Sequence, residues 1–135
     1  MAVLEGTLVN TTMVRADALT PLQFIAIYFT VAGTYDQTDE ATLLAVPTII
    51  GTARRTGKTI ALKTASLWQP ARKSTNPALF MTLSKIVISS ADITFQINES
   101  ATEGAIDVST EAAAAALATQ SAPFALLVGF TESDA

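Results

Sequence analysis

The segment Gly51-Thr52-Ala53-Arg54-Arg55-Thr56-Gly57-Lys58-Thr59 holds residue types that could grip a phosphate: two glycines, a lysine and a threonine behind the apolar run Val46-Pro47-Thr48-Ile49-Ile50. In a phosphate-binding loop, backbone amides and the lysine cradle the anion at the start of a helix. The spacing is wrong for that chemistry, because five residues separate Gly51 from Gly57, one more than the motif allows. The next residues, Ile60-Ala61-Leu62-Lys63, alternate as a strand does instead of opening a helix. A hairpin loop at Arg54-Arg55-Thr56-Gly57, with glycine in the left-handed position, fits these residues better.

Other catalytic sets are missing from the chain. With no His and no Cys, neither Ser–His nor Cys–His nucleophilic catalysis can be assembled, and disulfides and thiolate metal sites are excluded. Asp36, Asp39 and Glu40 could offer oxygen ligands to a cation, but calcium-loop spacing is absent and acids at the start of a helical turn are ordinary. The twelve acids are scattered with no partner base, so no acid–base pair stands out. The expectation is a protein that is not an enzyme, with no cofactor and no metal.

Charge is the feature that remains. Arg54, Arg55, Lys58, Lys63, Arg72, Lys73 and Lys85 lie between residues 41 and 91 with no acid among them, whereas the flanks hold twelve acids and only Arg15. A net charge of -4 therefore divides into a centre of +7 and flanks of -11. Charge segregated in this way steers docking onto complementary surfaces. Nucleic acid is one candidate partner, since clustered bases contact phosphates. Against it, Trp68 is the only Trp, Tyr28 and Tyr35 fall outside the basic block, and the pI is about 4.6. A protein partner with an acidic surface, or a second copy of this chain, fits both signs better. Candidate contact residues are Arg54, Arg55, Lys58, Trp68, Arg72 and Lys73; Trp68 and Phe80 are candidate apolar anchors, and Trp68 reads equally as a core residue.

The elements that position these residues are mostly strands. Ile93, Phe95 and Ile97 alternate with Asp92, Thr94, Gln96 and Asn98, as in a strand with one buried face. Leu4, Gly6 and Leu8 show a weaker version, while residues 24–31 and 124–130 are apolar on both faces and read as central strands. Twenty Thr residues add β propensity. Ser89-Ser90-Ala91-Asp92 reads as a hairpin turn, and residues 69–77, with two prolines, as an exposed loop. Helix is expected in two places only: a turn within residues 36–44, and an Ala-rich helix over residues 112–118 led by Ser109-Thr110-Glu111. The expected fold is all-β, a sandwich or jelly roll with one short Ala-rich helix, in a single domain of residues 1–135. Its expected core is Ile25, Ile27, Phe29, Ile93, Phe95, Ile97, Phe124 and Leu126. Residues 99–107 and 131–135 read as loose arms or swapped segments. The N-terminal residues lack a basic start and a long apolar run, and no stretch approaches the ~20 apolar residues of a spanning helix, so a soluble protein with no membrane partner is expected.

Residues 33–46, Gly33-Thr34-Tyr35-Asp36-Gln37-Thr38-Asp39-Glu40-Ala41-Thr42-Leu43-Leu44-Ala45-Val46, come after a hydrophobic strand and precede Arg54-Arg55-Thr56-Gly57-Lys58-Thr59-Ile60-Ala61-Leu62-Lys63. Together with Ala78-Leu79-Phe80-Met81 through Ala91-Asp92-Ile93-Thr94-Phe95, this pattern resembles small structural proteins of tailed-bacteriophage heads, the capsid cement or decoration proteins. The resemblance covers roughly the middle two-thirds of the chain, rests on pattern instead of an invariant signature, and does not include the Ala-rich segment. It implies a β-sandwich or jelly roll without catalytic residues. It further implies a homo-oligomer, dimer or trimer, that clamps neighbouring major capsid subunits on the virion surface after synthesis in the host cytoplasm. Another assembly part, such as a tail, head-completion or fibre protein, asks for the same kind of domain.

Overall fold

Alternation and turn chemistry in residues 80–99 produce the hairpin they imply. Strand β7 (Phe80–Ser89) and strand β8 (Asp92–Glu99) form it around the two-residue turn Ser90-Ala91, with Ser89 paired to Asp92 and Ser90 at φ 58°. The computed structural model describes residues 4–15, 22–35, 41–55, 57–74, 80–99, 115–116 and 120–133. Before the hairpin come β1 (Gly6–Arg15), β2 (Gln23–Val31), β3 (Thr34–Tyr35), β4 (Ala41–Leu43), helix α1 (Val46–Arg54), β5 (Thr59–Gln69) and β6 (Ala71–Lys73). After it come β9 (Ala115–Ala116), β10 (Gln120–Ala122) and β11 (Phe124–Ser133).

Two antiparallel sheets result, a four-stranded one ordered β1-β2-β11-β5 and a five-stranded one ordered β10-β6-β7-β8-β4, with β3 and β9 paired separately. Among the described residues the fold is thus all-β with one short helix. The sheets join at two corners. At one, β5 runs through Pro70 directly into β6; at the other, the Thr42 amide donates to the Leu4 carbonyl at 2.8 Å beside a parallel bridge between Glu5 and Thr42. Apolar side chains of both sheets meet between them, and all eight expected core residues are fully buried. Phe29 sits at the centre, with its ring centroid 5.5 Å from that of Phe95 and 5.6 Å from that of Phe124, so one side chain ties β2 to β11 and across to β8. Residues 24–31 are the inner strand expected, flanked by β1 and β11.

The helix is not where composition places it. Ala115 and Ala116 form strand β9 against Tyr35 and Thr34, because pairing overrides the helix preference of Ala; the rest of the Ala-rich segment lies outside the described residues. The helix instead covers Val46–Arg54, although residues 48–50 have the pattern of the first strand of a hairpin. Pro47 pre-sets φ in the first turn, and Val46 and Ile50, one helical turn apart, are fully buried at the end of the sandwich. Both helix ends are anchored: the Val46 amide donates to Ala91 at 2.8 Å and the Ala45 amide to the Asp92 carboxylate at 3.0 Å, while Arg54 reaches β11.

Four other expectations change. Residues 41–43 are strand β4, not a helical turn, and residues 36–40 lie outside the described residues. Residues 71–73, expected as loop, are strand β6 between β7 and β10, with Ala71 fully buried. Thr131, Glu132 and Ser133, expected as an arm, extend β11 against Ala61, Ile60 and Thr59. Gln96 and Asn98, expected on a solvent face, are buried; the Ser84 hydroxyl donates to Asn98 Oδ1 at 2.9 Å, keeping a buried amide partnered.

Candidate functional site

The glycine- and lysine-bearing segment has the reverse of a phosphate-loop architecture. Gly51 and Thr52 lie inside α1, Arg55 caps its end, and Lys58 precedes strand β5. It is the C-terminal end of the helix, with its partial negative charge, that faces this turn. The open cleft there, about 400 Å³, is lined by Pro47, Thr48, Gly51, Thr52, Gly57, Lys58 and Ile60. Backbone amides are therefore not gathered as an anion cradle. Among the described residues no three acids cluster as a metal site.

Arg54 has an internal task. Its Nε donates to Glu132 Oε1 at 2.8 Å, and Gln23 Nε2 donates to the same oxygen at 2.9 Å. The Glu132 side chain is only 9% exposed. Burial pushes its carboxyl up, but the hydrogen bonds from Arg54 and Gln23 and the charges of Arg54 and Lys58 outweigh this and hold it below the usual 4.5. The folded value is lower than the unfolded one, so this contribution is complete above about pH 4.5 and fades as pH falls through the folded value. Urea unfolding at pH 7 and at pH 3 checks this. The wild type is expected to lose about 1 kcal/mol more than Glu132→Gln on acidification. An equal loss in both proteins removes the pair from the acid response.

Arg55 is exposed and holds φ 52°, the left-handed conformation that closes the helix, with its amide donating to the Thr52 carbonyl at 3.3 Å. That conformation costs a branched side chain about 1–2 kcal/mol, whereas glycine adopts it freely. Arg55→Gly is accordingly expected to keep or raise the melting temperature while removing a charge, and Arg55→Val to lower it. A lower melting temperature for the glycine variant than for the valine variant would contradict the cap assignment.

The remaining candidates fall at both ends of β5. Lys58 is exposed just before the strand. Trp68, near its other end, is 48% exposed on the outer side, so it is a surface residue and not part of the core. Past Pro70, Arg72 is exposed and Lys73 half-buried on β6; the Phe80 side chain lies outside the described residues. The residues of β5, at about 3.3 Å each, set Lys58 roughly 30 Å from Trp68 along the strand, and Arg72 follows past Pro70 on β6. The six residues thus form two groups: Arg54, Arg55 and Lys58 at the helix end, and Trp68, Arg72 and Lys73 at the β5–β6 corner. Glu132, which holds the first group in place, could not be found from sequence because it lies 78 residues from Arg54. Comparison with known protein families, curated proteins and solved structures finds no match for this chain.

Proposed function

We propose that this chain is a structural protein of a phage virion, which binds the outside of the capsid and cements neighbouring major capsid subunits as a homo-oligomer. The observation that carries this reading is the pair of basic groups at opposite ends of one edge strand. A clamp needs two contact points on a body stiff enough to hold them apart. Here the body is a two-sheet sandwich with a fully buried core, and the helix bearing the first group is pinned to β11 by Arg54 and Glu132. Exposed Trp68 and Arg72, on either side of Pro70, supply the aromatic and guanidinium character common in contact centres. Repeated around a shell, modest contacts of this kind favour the closed capsid by mass action.

Quantitative mass spectrometry of purified particles, counting this chain against the major capsid protein, tests the reading. Hundreds of copies per particle are expected. A handful would move the protein to the tail or portal vertex, and absence from particles would overturn the structural role. In that last case a salt-sensitive gel shift would test single-stranded or duplex nucleic acid as the partner of the basic groups.

A further inference from the structure

The outward face of the four-stranded sheet brings together aromatic residues that are far apart in the chain. Along β2, Ile25, Ile27 and Phe29 are buried in the core, so Phe24 and Tyr28, both half-buried, stand on the other side. Thr64, Ser66 and Trp68 of β5 are exposed on that same side. The registers join them. Tyr28 pairs with Ala125, which pairs with Gln69 next to Trp68, and Phe24 pairs with Gly129, which pairs with Thr64. Between the rings, β11 keeps the face low: a Cβ at Gly129 would strike Thr64 Oγ1 and lie 3.0 Å from Phe24 Cε1. Trp68 and Tyr28 stand on either side of β11, about 10 Å apart, and Phe24 and Tyr28 about 13 Å apart along β2. One planar group cannot cover two rings at these spacings, so the face offers three separate stacking positions.

Charge on these strands has one free sign. Their single acid, Glu132, is bound to Arg54 and Gln23. Their two bases are Lys63, exposed at the register irregularity between Leu62 and Thr64, and Arg15, in register with Phe24. These stand on the two outer strands, at the end of the sheet that holds Phe24. We infer that this face binds single-stranded nucleic acid, with bases stacked on Trp68, Tyr28 and Phe24 and the phosphodiester backbone along the basic edge at Lys63. Rings and cations select the occupant together. Unpaired bases present flat faces that stack on aromatic side chains, and phosphates are drawn to cations that no acid neutralises. A duplex keeps those faces inside its own stack, and a neutral sugar gains nothing from the cations. In the chain Tyr28 falls outside the basic block, but in the sheet it shares a face with Trp68 and Thr64, beside Lys63. This inference does not rest on the capsid reading, shares only Trp68 with it, and is tested without a capsid.

Trp68 is the one Trp of the chain, so its fluorescence reports on the face directly. Titration of the purified full chain with an oligothymidylate of about 12 nucleotides is expected to quench it, less so as salt rises. A duplex of the same length and a neutral oligosaccharide are expected to leave it unchanged. With the oligonucleotide labelled and followed by anisotropy, Trp68→Leu and Tyr28→Ala are each expected to raise the dissociation constant about 5- to 100-fold. Trp68 is exposed, so its variant serves if Tyr28→Ala does not fold. Lys63→Ala is expected to flatten the slope of log affinity against log salt by about 0.7. Lys85→Gly, which removes a charge from β7 of the other sheet, is expected to leave the slope as it is. Absence of quenching at low salt, duplex binding as tight as single-strand binding, quenching by the sugar alone, or a folded Trp68→Leu variant with wild-type affinity would each overturn the assignment.

Discussion

Phe29→Ala is expected to cost about 3–5 kcal/mol, a large part of the roughly 5–15 kcal/mol that holds a domain of this size together. Phe29 is fully buried and its ring meets those of Phe95 and Phe124, so removing it opens a cavity where both halves of the first sheet meet the second. Collapse into that cavity is obstructed because its neighbours belong to three strands. The approach of β1 also depends on this ring: a Cβ added at Gly6 would lie 2.9 Å from Phe29 Cδ2, so the missing side chain at Gly6 lets the strand close on it. Urea unfolding followed by circular dichroism reads the effect directly, and the melting temperature is expected to fall by about 10–20 °C. A loss under about 1 kcal/mol would show that the sheets are not joined through this ring cluster.

The second large effect concerns docking. On the proposed reading, Arg55→Glu with Lys58→Glu removes one contact point, and Arg72→Glu with Lys73→Glu removes the other. Each pair is expected to weaken capsid binding by about 10- to 100-fold, and the four together by about 10²- to 10⁴-fold, because loss of either point ends simultaneous engagement. Capsid sedimentation at low and moderate salt measures this. A pair whose reversal leaves binding unchanged at both salts is not a contact. Arg54 is left out because Arg54→Glu would set a carboxylate against Glu132; the charge of Lys58 also acts on Glu132, so urea unfolding of each reversed variant separates lost docking from lost stability.

What was legible in the sequence was what neighbouring residues decide. The alternation at Ile93, Phe95 and Ile97 and the doubly apolar runs around Ile27 and Leu126 identified fully buried side chains, since a strand's two faces are written at a period of two. The Ser90-Ala91 turn was legible for the same local reason. Gln96 and Asn98 broke the pattern, because burial of a polar face depends on partners such as Ser84, which belongs to the facing strand.

Sequence by itself therefore determined the class of the fold, eight residues at the centre of the core and the segregation of charge into a basic centre and acidic flanks. Tertiary structure alone decided which short segment became the helix. Val46 and Ile50 gain burial at the sandwich end, whereas Ala115 and Ala116 gain backbone pairing with Thr34 and Tyr35, and either gain exceeds the few tenths of a kcal/mol by which propensities differ. It decided as well that Arg54 is bound to Glu132 while Arg55 is exposed, and that six candidate contacts form two groups instead of one. The reason is the same in each case: chain distance sets neither the length of a strand laid between two residues nor which side chain, 78 positions away, meets a buried end.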